Sequence, residues 1–113
     1  MITKEKITFE DFIEASNKLD IRIGQVVKAE RVPKSNKMLK LLVIFGEEED
    51  EVKTVLTNIG DKFSPDDILA LTFPFIVNLQ PTKIMGITSE AMILVNHIED
   101  EIYLDNRIGS NLL

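Results

Sequence analysis

A single helix start set among strand-like segments constrains this chain most. At residues 64–71 the sequence SPDDILAL offers Ser64 as an N-cap, Pro65 at the first helical position, and Asp66 and Asp67 in the first turn, where the helix dipole favours anions. Before it, LDIRIGQVVKAERV (19–32) alternates as far as Gly24, with Leu19, Ile21 and Ile23 on one face and Asp20 and Arg22 on the other. This alternation predicts a half-buried strand with the three apolar residues inward and Arg22 outward, and the interior glycine predicts a bulge or sharp bend. VPKSNK (32–37) reads as a turn, MLKLLVIFG (38–46) as a second strand, EEEDE (47–51) as a solvated hairpin loop and VKTVLTNI (52–59) as a third strand. After the helix, FPFIVNL (73–79) is a fourth strand whose Pro74 confines that end to an edge or bulge, and AMILV (91–95) and EIYL (101–104) are further strand. Ahead of all these, Thr8 caps a short helix with Asp11 at its third position, and Phe9, Phe12 and Ile13 form an apolar face that needs a partner surface.

Five strands with a helix after the third is the plan of the OB-fold, a small Greek-key barrel. The predicted class is therefore all-β with short helices: a five-stranded OB-fold barrel with an N-terminal helix and a helix between strands 3 and 4. A chain of 113 residues supports one core, so residues 1–113 are read as a single domain, with 1–18 an N-terminal helical segment and 105–113 a C-terminal extension. The N-terminus, MITKEKITFEDF, carries no apolar run of the kind a secretion signal needs, and the longest apolar stretch, Ile68 to Leu79, is broken by Thr72, Pro74 and Asn78. Neither a signal peptide nor a membrane span is expected. The lack of cysteine removes disulfides and thiolate chemistry and fits a cytoplasmic location.

The net charge of −6 argues on its own against a polyanionic partner, but its distribution does not. From Arg22 to Lys40 there are six cations and one anion, a local charge of +5, and five anions then follow in a row from Glu47 to Glu51. A basic patch results if the fold gathers those cations on one side; otherwise they are scattered solvated charges. Catalysis finds little support. His97 is the single histidine, beside Asn96 and near Glu99 and Asp100, without the further nitrogen or sulfur ligands a metal site needs. There is no nucleophile elbow and no Gly-rich phosphate loop, so the chain is not expected to be an enzyme or to hold a cofactor.

LDIRIG (19–24), VPKSNKMLKL (32–41), TVLTNI (54–59) and NLQPTKIMGITSEAMIL (78–94) resemble, in order and spacing, the motifs of the tRNA-binding OB domain. That domain occurs at the C-terminus of bacterial methionyl-tRNA synthetase, in cytokine-like synthetase partners and as small free-standing dimeric proteins, one branch of which is described as an export-related chaperone. The resemblance runs from about residue 9 to residue 109, and its most specific piece is N-L-x-P-x-K-I-x-G-I-x-S. It implies a barrel that holds the outer corner of the L-shaped tRNA by shape and backbone, with Arg22, Lys37, Asn78, Lys83, Ser89 and Met92 as RNA-contacting positions. This chain departs from the family at three places. Val32 stands where His usually precedes the loop proline; Thr57-Asn58 replaces Ser-Gly, with Asn the best substitute for Gly at positive φ; and Ala91, after Glu90, replaces a Gly before the methionine. A carboxylate at Glu90 beside a phosphate site repels RNA.

Binding structured RNA requires cations on a rigid surface, amide or hydroxyl donors and a stacking face. Arg22 can fork onto a phosphate or stack on a base. Lys34, Lys37 and Lys40 flank the first loop, Lys83 lies between Pro81 and Gly86, and Asn78 and Ser89 can donate to phosphate or ribose. Each also has a plainer reading: Arg22 paired with Glu30 or Asp20, the three lysines as a solvated loop, Asn78 fixing a turn by an Asx-type bond, and Met92 as core. The expected partner is tRNA. An alternative is an export-related chaperone that takes unfolded pre-protein in an apolar groove near Phe73 and Phe75, and another is an accessory module of an aminoacyl-tRNA synthetase. The apolar helix and the C-terminal segment Ile108 to Leu113 exceed what one small barrel can cover, which predicts a two-fold homodimer.

Overall fold

Gly24 sets the phase of the first strand. A Cβ there would lie 2.5 Å from Val43 Cγ1 and 2.7 Å from Phe45 Cε1, so this position points into the core and only glycine fits it. The structure, a computed structural model, describes residues 3–46, 52–98, 101–104 and 112. Strand β1 (Ile21–Arg31) is long enough to serve two neighbours: Ile21–Gln25 pair with β4 (Thr72–Ile76), and Gln25–Arg31 pair with β2 (Leu39–Ile44). The register slips between Val26 and Lys28, so the bulge lies beyond Gly24, and the glycine serves close packing instead. Strand β3 (Val52–Thr57) pairs with β2, and β7 (Met92–Ile93) pairs with β4, giving an antiparallel sheet in the order β3-β2-β1-β4-β7. This nearly closed sheet is the predicted OB-type barrel.

With Gly24 and Val26 inward, Ile21 and Ile23 must face outward, and they are 46% and 64% exposed. The predicted inward placing of Leu19, Ile21 and Ile23 is therefore reversed, because the packing of Gly24 on Phe45 outweighs the alternation of the first few residues. Arg22 shares its face with Gly24 and opposes Phe75 across the β1–β4 pair, which puts it over an open end of the barrel and not on the outer wall. Strand β2 keeps its predicted alternation: Leu39, Leu41 and Val43 are buried. They join Val26, Val55 and Phe75 in a core where Phe45 and Phe75 meet edge to face at 5.4 Å.

Helix α2 (Pro65–Ile68) starts as predicted: the Ser64 N–H donates to the Asp67 carboxylate at 2.8 Å, and Ile68 is fully buried. Strand β4 is not an edge, since it lies between β1 and β7. Pro74 is tolerated there because its main chain faces the β7 side, where Leu94 N–H donates to its carbonyl at 2.9 Å after β7 has ended. Between β4 and β7 the chain makes a separate hairpin, β5 (Thr82–Ile84) and β6 (Ile87–Ser89), and β8 (Asn96–Ile98) pairs with β9 (Glu101–Tyr103). The hairpin tip has positive φ at both Met85 (52°) and Gly86 (80°), as a type I′ turn requires. The predicted loop 47–51 and the segment 105–111 lie outside the described residues.

Helix α1 (Phe9–Lys18) has its Thr8 cap, whose Oγ1 accepts from Asp11 N–H at 3.1 Å, and none of its residues is buried. Phe9 is 75% exposed and Phe12 52%. The helix is tied to the barrel at its C-terminal end, where Asn78 Nδ2 donates to Lys18 O at 2.7 Å and Asn78 Oδ1 accepts from Asp20 N–H at 2.9 Å.

Candidate nucleic-acid interface

The turn from Val32 to Met38 is folded on itself. Val32 N–H donates to Met38 O at 3.1 Å, and Ser35 N–H to Val32 O at 3.1 Å. Ser35 Oγ accepts from the N–H groups of Lys37 and Met38 at 3.3 and 3.0 Å. Lys34 is held at a φ of 67°, a left-handed value uncommon outside glycine. The exposed side chains of Lys34 and Lys37 thus leave a fixed frame. Lys83 is exposed on β5, opposite Thr88, and the next residue, Ile84, lines a cavity with Leu56 and Thr57 of β3. Between these two basic elements lies an apolar cavity of about 390 Å³ whose lining includes Met38, Leu56, Asn58, Ile84, Met92 and Ile102. Met92 is 43% exposed, so its reading as core does not hold. Asn58 lines this cavity without taking a positive φ, so that substitution is not explained by backbone geometry.

A second cavity, about 440 Å³, lies at the other end of β3. Asp20, Arg22, Lys53 and Glu90 bring two cations and two anions to it over Phe45 and Val77. Arg22 forks onto Asp20, with Nε to Oδ1 and Nη2 to Oδ2 both at 3.1 Å. The Asp20 pairing is thus the one realised, and a charge-balanced cavity gives a polyanion no net attraction. Lys40 pairs with Glu30 at 3.8 Å on the outer face.

Asn78 and Ser89 are engaged in holding the fold. Asn78 joins α1 to β1, a long-range bond rather than a local turn. Ser89 Oγ accepts from Leu56 N–H at 3.0 Å and donates to Ala91 O at 3.2 Å. Glu90 adds a matching pair: its Oε1 accepts from Thr54 N–H at 3.2 Å, and its own N–H donates to Thr54 O at 2.8 Å. Ser89 and Glu90 therefore seal the edge of β3 against the returning chain, and Glu90 lines the balanced cavity and not the apolar one. Met92 shares the apolar cavity with Met38 and Ile84, the chain neighbours of Lys37 and Lys83, whereas Arg22 lines the other cavity and Lys40 is paired with Glu30. Sequence reasoning passed over Met38 and Ile84, which adjoin Lys37 and Lys83 in the very motifs it quoted. It also passed over Arg31, whose Nη1 donates to Gly60 O at 2.6 Å.

Residues 21–105 match the family model described as "Putative tRNA binding domain". The chain belongs to that family. It is 42% identical over 94 residues to the methionine–tRNA ligase of Archaeoglobus fulgidus, covering 83% of this chain and 13% of the ligase. The chain thus spans about an eighth of the length of the curated relatives it matches. Among solved structures it is similar to a MetRS-related protein from Pyrococcus horikoshii, with a TM-score of 0.76 and 32% identity over 94% of this chain and 92% of that one. It is also similar to the chaperone CsaA of Bacillus anthracis, with a TM-score of 0.69 and 28% identity over 92% and 90%. Among the described residues no group of three or more His, Asp or Glu stands close enough to hold a metal ion, and no helix is long and apolar enough to cross a membrane.

Proposed function

We propose that the protein is a non-catalytic, structure-selective tRNA-binding module that grips folded RNA by its backbone through Lys34, Lys37 and Lys83. The observation that carries this reading is the apolar cavity lying between the lysine-bearing turn and the lysine-bearing hairpin. Phosphates meet the ammonium groups, while Met38, Ile84 and Met92 offer an apolar face for a ribose or an unstacked base. Two rigid elements fix the spacing of the cations, which selects a folded backbone over a flexible one. The net charge of −6 suppresses general polyanion binding outside this patch. Lys40 and Arg22 are secondary here, since each is offset by a carboxylate. The module works as a cytoplasmic homodimer, its exposed α1 face and outer β1 face forming the seam, and can serve as an accessory module for an aminoacyl-tRNA synthetase.

Fluorescence titration with tRNA at two salt concentrations tests the reading. Binding should weaken steeply with salt, and Lys37→Ala and Lys83→Ala should each lower affinity and reduce the salt slope by about 0.9. Binding that ignores both substitutions removes the site assignment.

A third cavity favours a different partner. About 300 Å³ in volume, it is lined by Ile23, Phe73, Pro74, Leu94 and Leu104, and an apolar peptide of an unfolded pre-protein fits it chemically. Phe75 cannot contribute, being fully buried in the core. Binding of an unfolded apolar peptide that added tRNA does not displace would support this chaperone reading.

A further inference from the structure

Three elements meet at Gly60. Its N–H donates to Lys37 O at 2.7 Å, and its carbonyl accepts from Arg31 Nη1 at 2.6 Å. The fit is close: a Cβ on Gly60 would lie 2.7 Å from Lys37 O and 3.1 Å from Leu39 Cδ2. Arg31 ends β1, Lys37 lies in the turn leading into β2, and Gly60 lies in the connection from β3 to α2. The turn needs such an anchor, because Lys34 is held in a left-handed conformation that persists only when its surroundings enforce it. Ser35 fixes the turn from within, and Gly60 fixes it from without.

We propose that Arg31 is a positioning residue for the RNA-binding turn, acting on Lys37 through Gly60 rather than by touching phosphate. A guanidinium is suited to this role. It is always charged, and its hydrogen bond to a carbonyl is charge-assisted and stronger than a neutral one. Held at its carbonyl by Arg31, Gly60 keeps its N–H in place to donate to Lys37 O. This inference rests on the tRNA reading of Lys34 and Lys37, and it adds a residue that no motif of the sequence marks.

The test uses the full chain and bulk tRNA. Arg31→Ala should weaken tRNA binding by about fivefold, the loss expected for one charge-assisted hydrogen bond expressed through an ordered loop. The salt slope should remain that of the unsubstituted protein, because no phosphate contact is lost. Amide hydrogen exchange at Gly60 should quicken, while that of Leu41 in the core stays unchanged. Gly60→Ala approaches the same joint without altering charge and should reproduce the loss of affinity at constant slope. Arg31→Lys, which keeps the charge and a shorter donor, should recover part of it. Unchanged affinity in Arg31→Ala overturns the proposal, and so does a slope reduced by about 0.9, which would make Arg31 a direct phosphate contact. Unchanged Gly60 exchange also overturns it. If exchange at Gly60 responds but the unsubstituted protein binds no tRNA, the joint stands and the tRNA reading fails, taking the functional role of Arg31 with it.

Discussion

At the scale of single residues, a polar side chain in a basic motif has two ways to matter, and hydrogen-bond geometry separates them. Asn78 uses both ends of its amide on backbone groups 60 and 58 residues away, so it joins helix α1 to the barrel. Lys83 has no comparable role, being exposed on a short hairpin strand. Asn78→Ala is therefore expected to destabilise the chain by about 1–2 kcal/mol, as two backbone groups lose their partners. Lys83→Ala should leave stability within about 0.5 kcal/mol and act on RNA affinity alone. Urea unfolding of the two variants distinguishes these roles, and equal destabilisation would remove the distinction. Arg22 shows the same contrast. Its sequence position leaves it open to a phosphate or to a neighbouring carboxylate, and the fork onto Asp20, with Lys53 and Glu90 nearby, makes its surroundings a balanced cavity.

At the scale of elements, the barrel closes by side chains where a full ladder would otherwise be needed. Strand β3 has β2 on one side, and its other edge is met by Ser89 and Glu90, whose oxygens accept from Leu56 and Thr54. Ser89→Ala leaves the half-buried Leu56 amide without its acceptor. It should speed hydrogen exchange at Leu56 at least tenfold and cost about 1–2 kcal/mol, with the β1–β2 amides unaffected. Uniform loss of protection across the sheet would mean instead that the seam has no stability of its own. This seam also explains what the sequence conveys and what it does not. Strand β2 and the start of α2 are legible because local alternation and capping chemistry agree with the tertiary packing. The phase of β1 is not legible, because the deciding contact is between Gly24 and Val43 and Phe45, two residues on another segment. Ser89 and Glu90 look like a donor and a repulsive charge for the same reason: their partners lie more than thirty residues away, on β3. By contrast, the exposure of Lys34, Lys37 and Lys83 is legible in the sequence, since residues of a surface turn and a short hairpin owe little to distant packing.

At the scale of the whole molecule, the single chain leaves an apolar surface uncovered, which is the basis of the proposed dimer. Phe9, Phe12 and Ile13 on α1 are all exposed, as are Ile21 and Ile23 on the outer face of β1. Scattered exposed apolar residues are ordinary, but here one helix bears three on one side and buries nothing. A helix of ten residues is marginal alone in water, so α1 gains most of its stability from whatever covers that side. The proposed two-fold dimer would cover it with an identical surface and set the two proposed RNA-binding patches on one rigid body. Two weak sites so arranged bind a large folded RNA with an avidity gain on the order of a hundredfold, which no increase in the chain's own positive charge is needed to supply. Phe12→Glu places a charge in the middle of this side and should convert dimer to monomer in sedimentation equilibrium at micromolar concentration. The barrel's own stability should change little, because Phe12 is half exposed in the single chain and lies outside its core. Affinity for tRNA should then fall by at least tenfold, whereas affinity for a short hairpin that reaches only one patch should be preserved. A monomeric variant that binds both RNAs as before would show that each patch acts alone, and a variant that remains dimeric would place the seam elsewhere than α1.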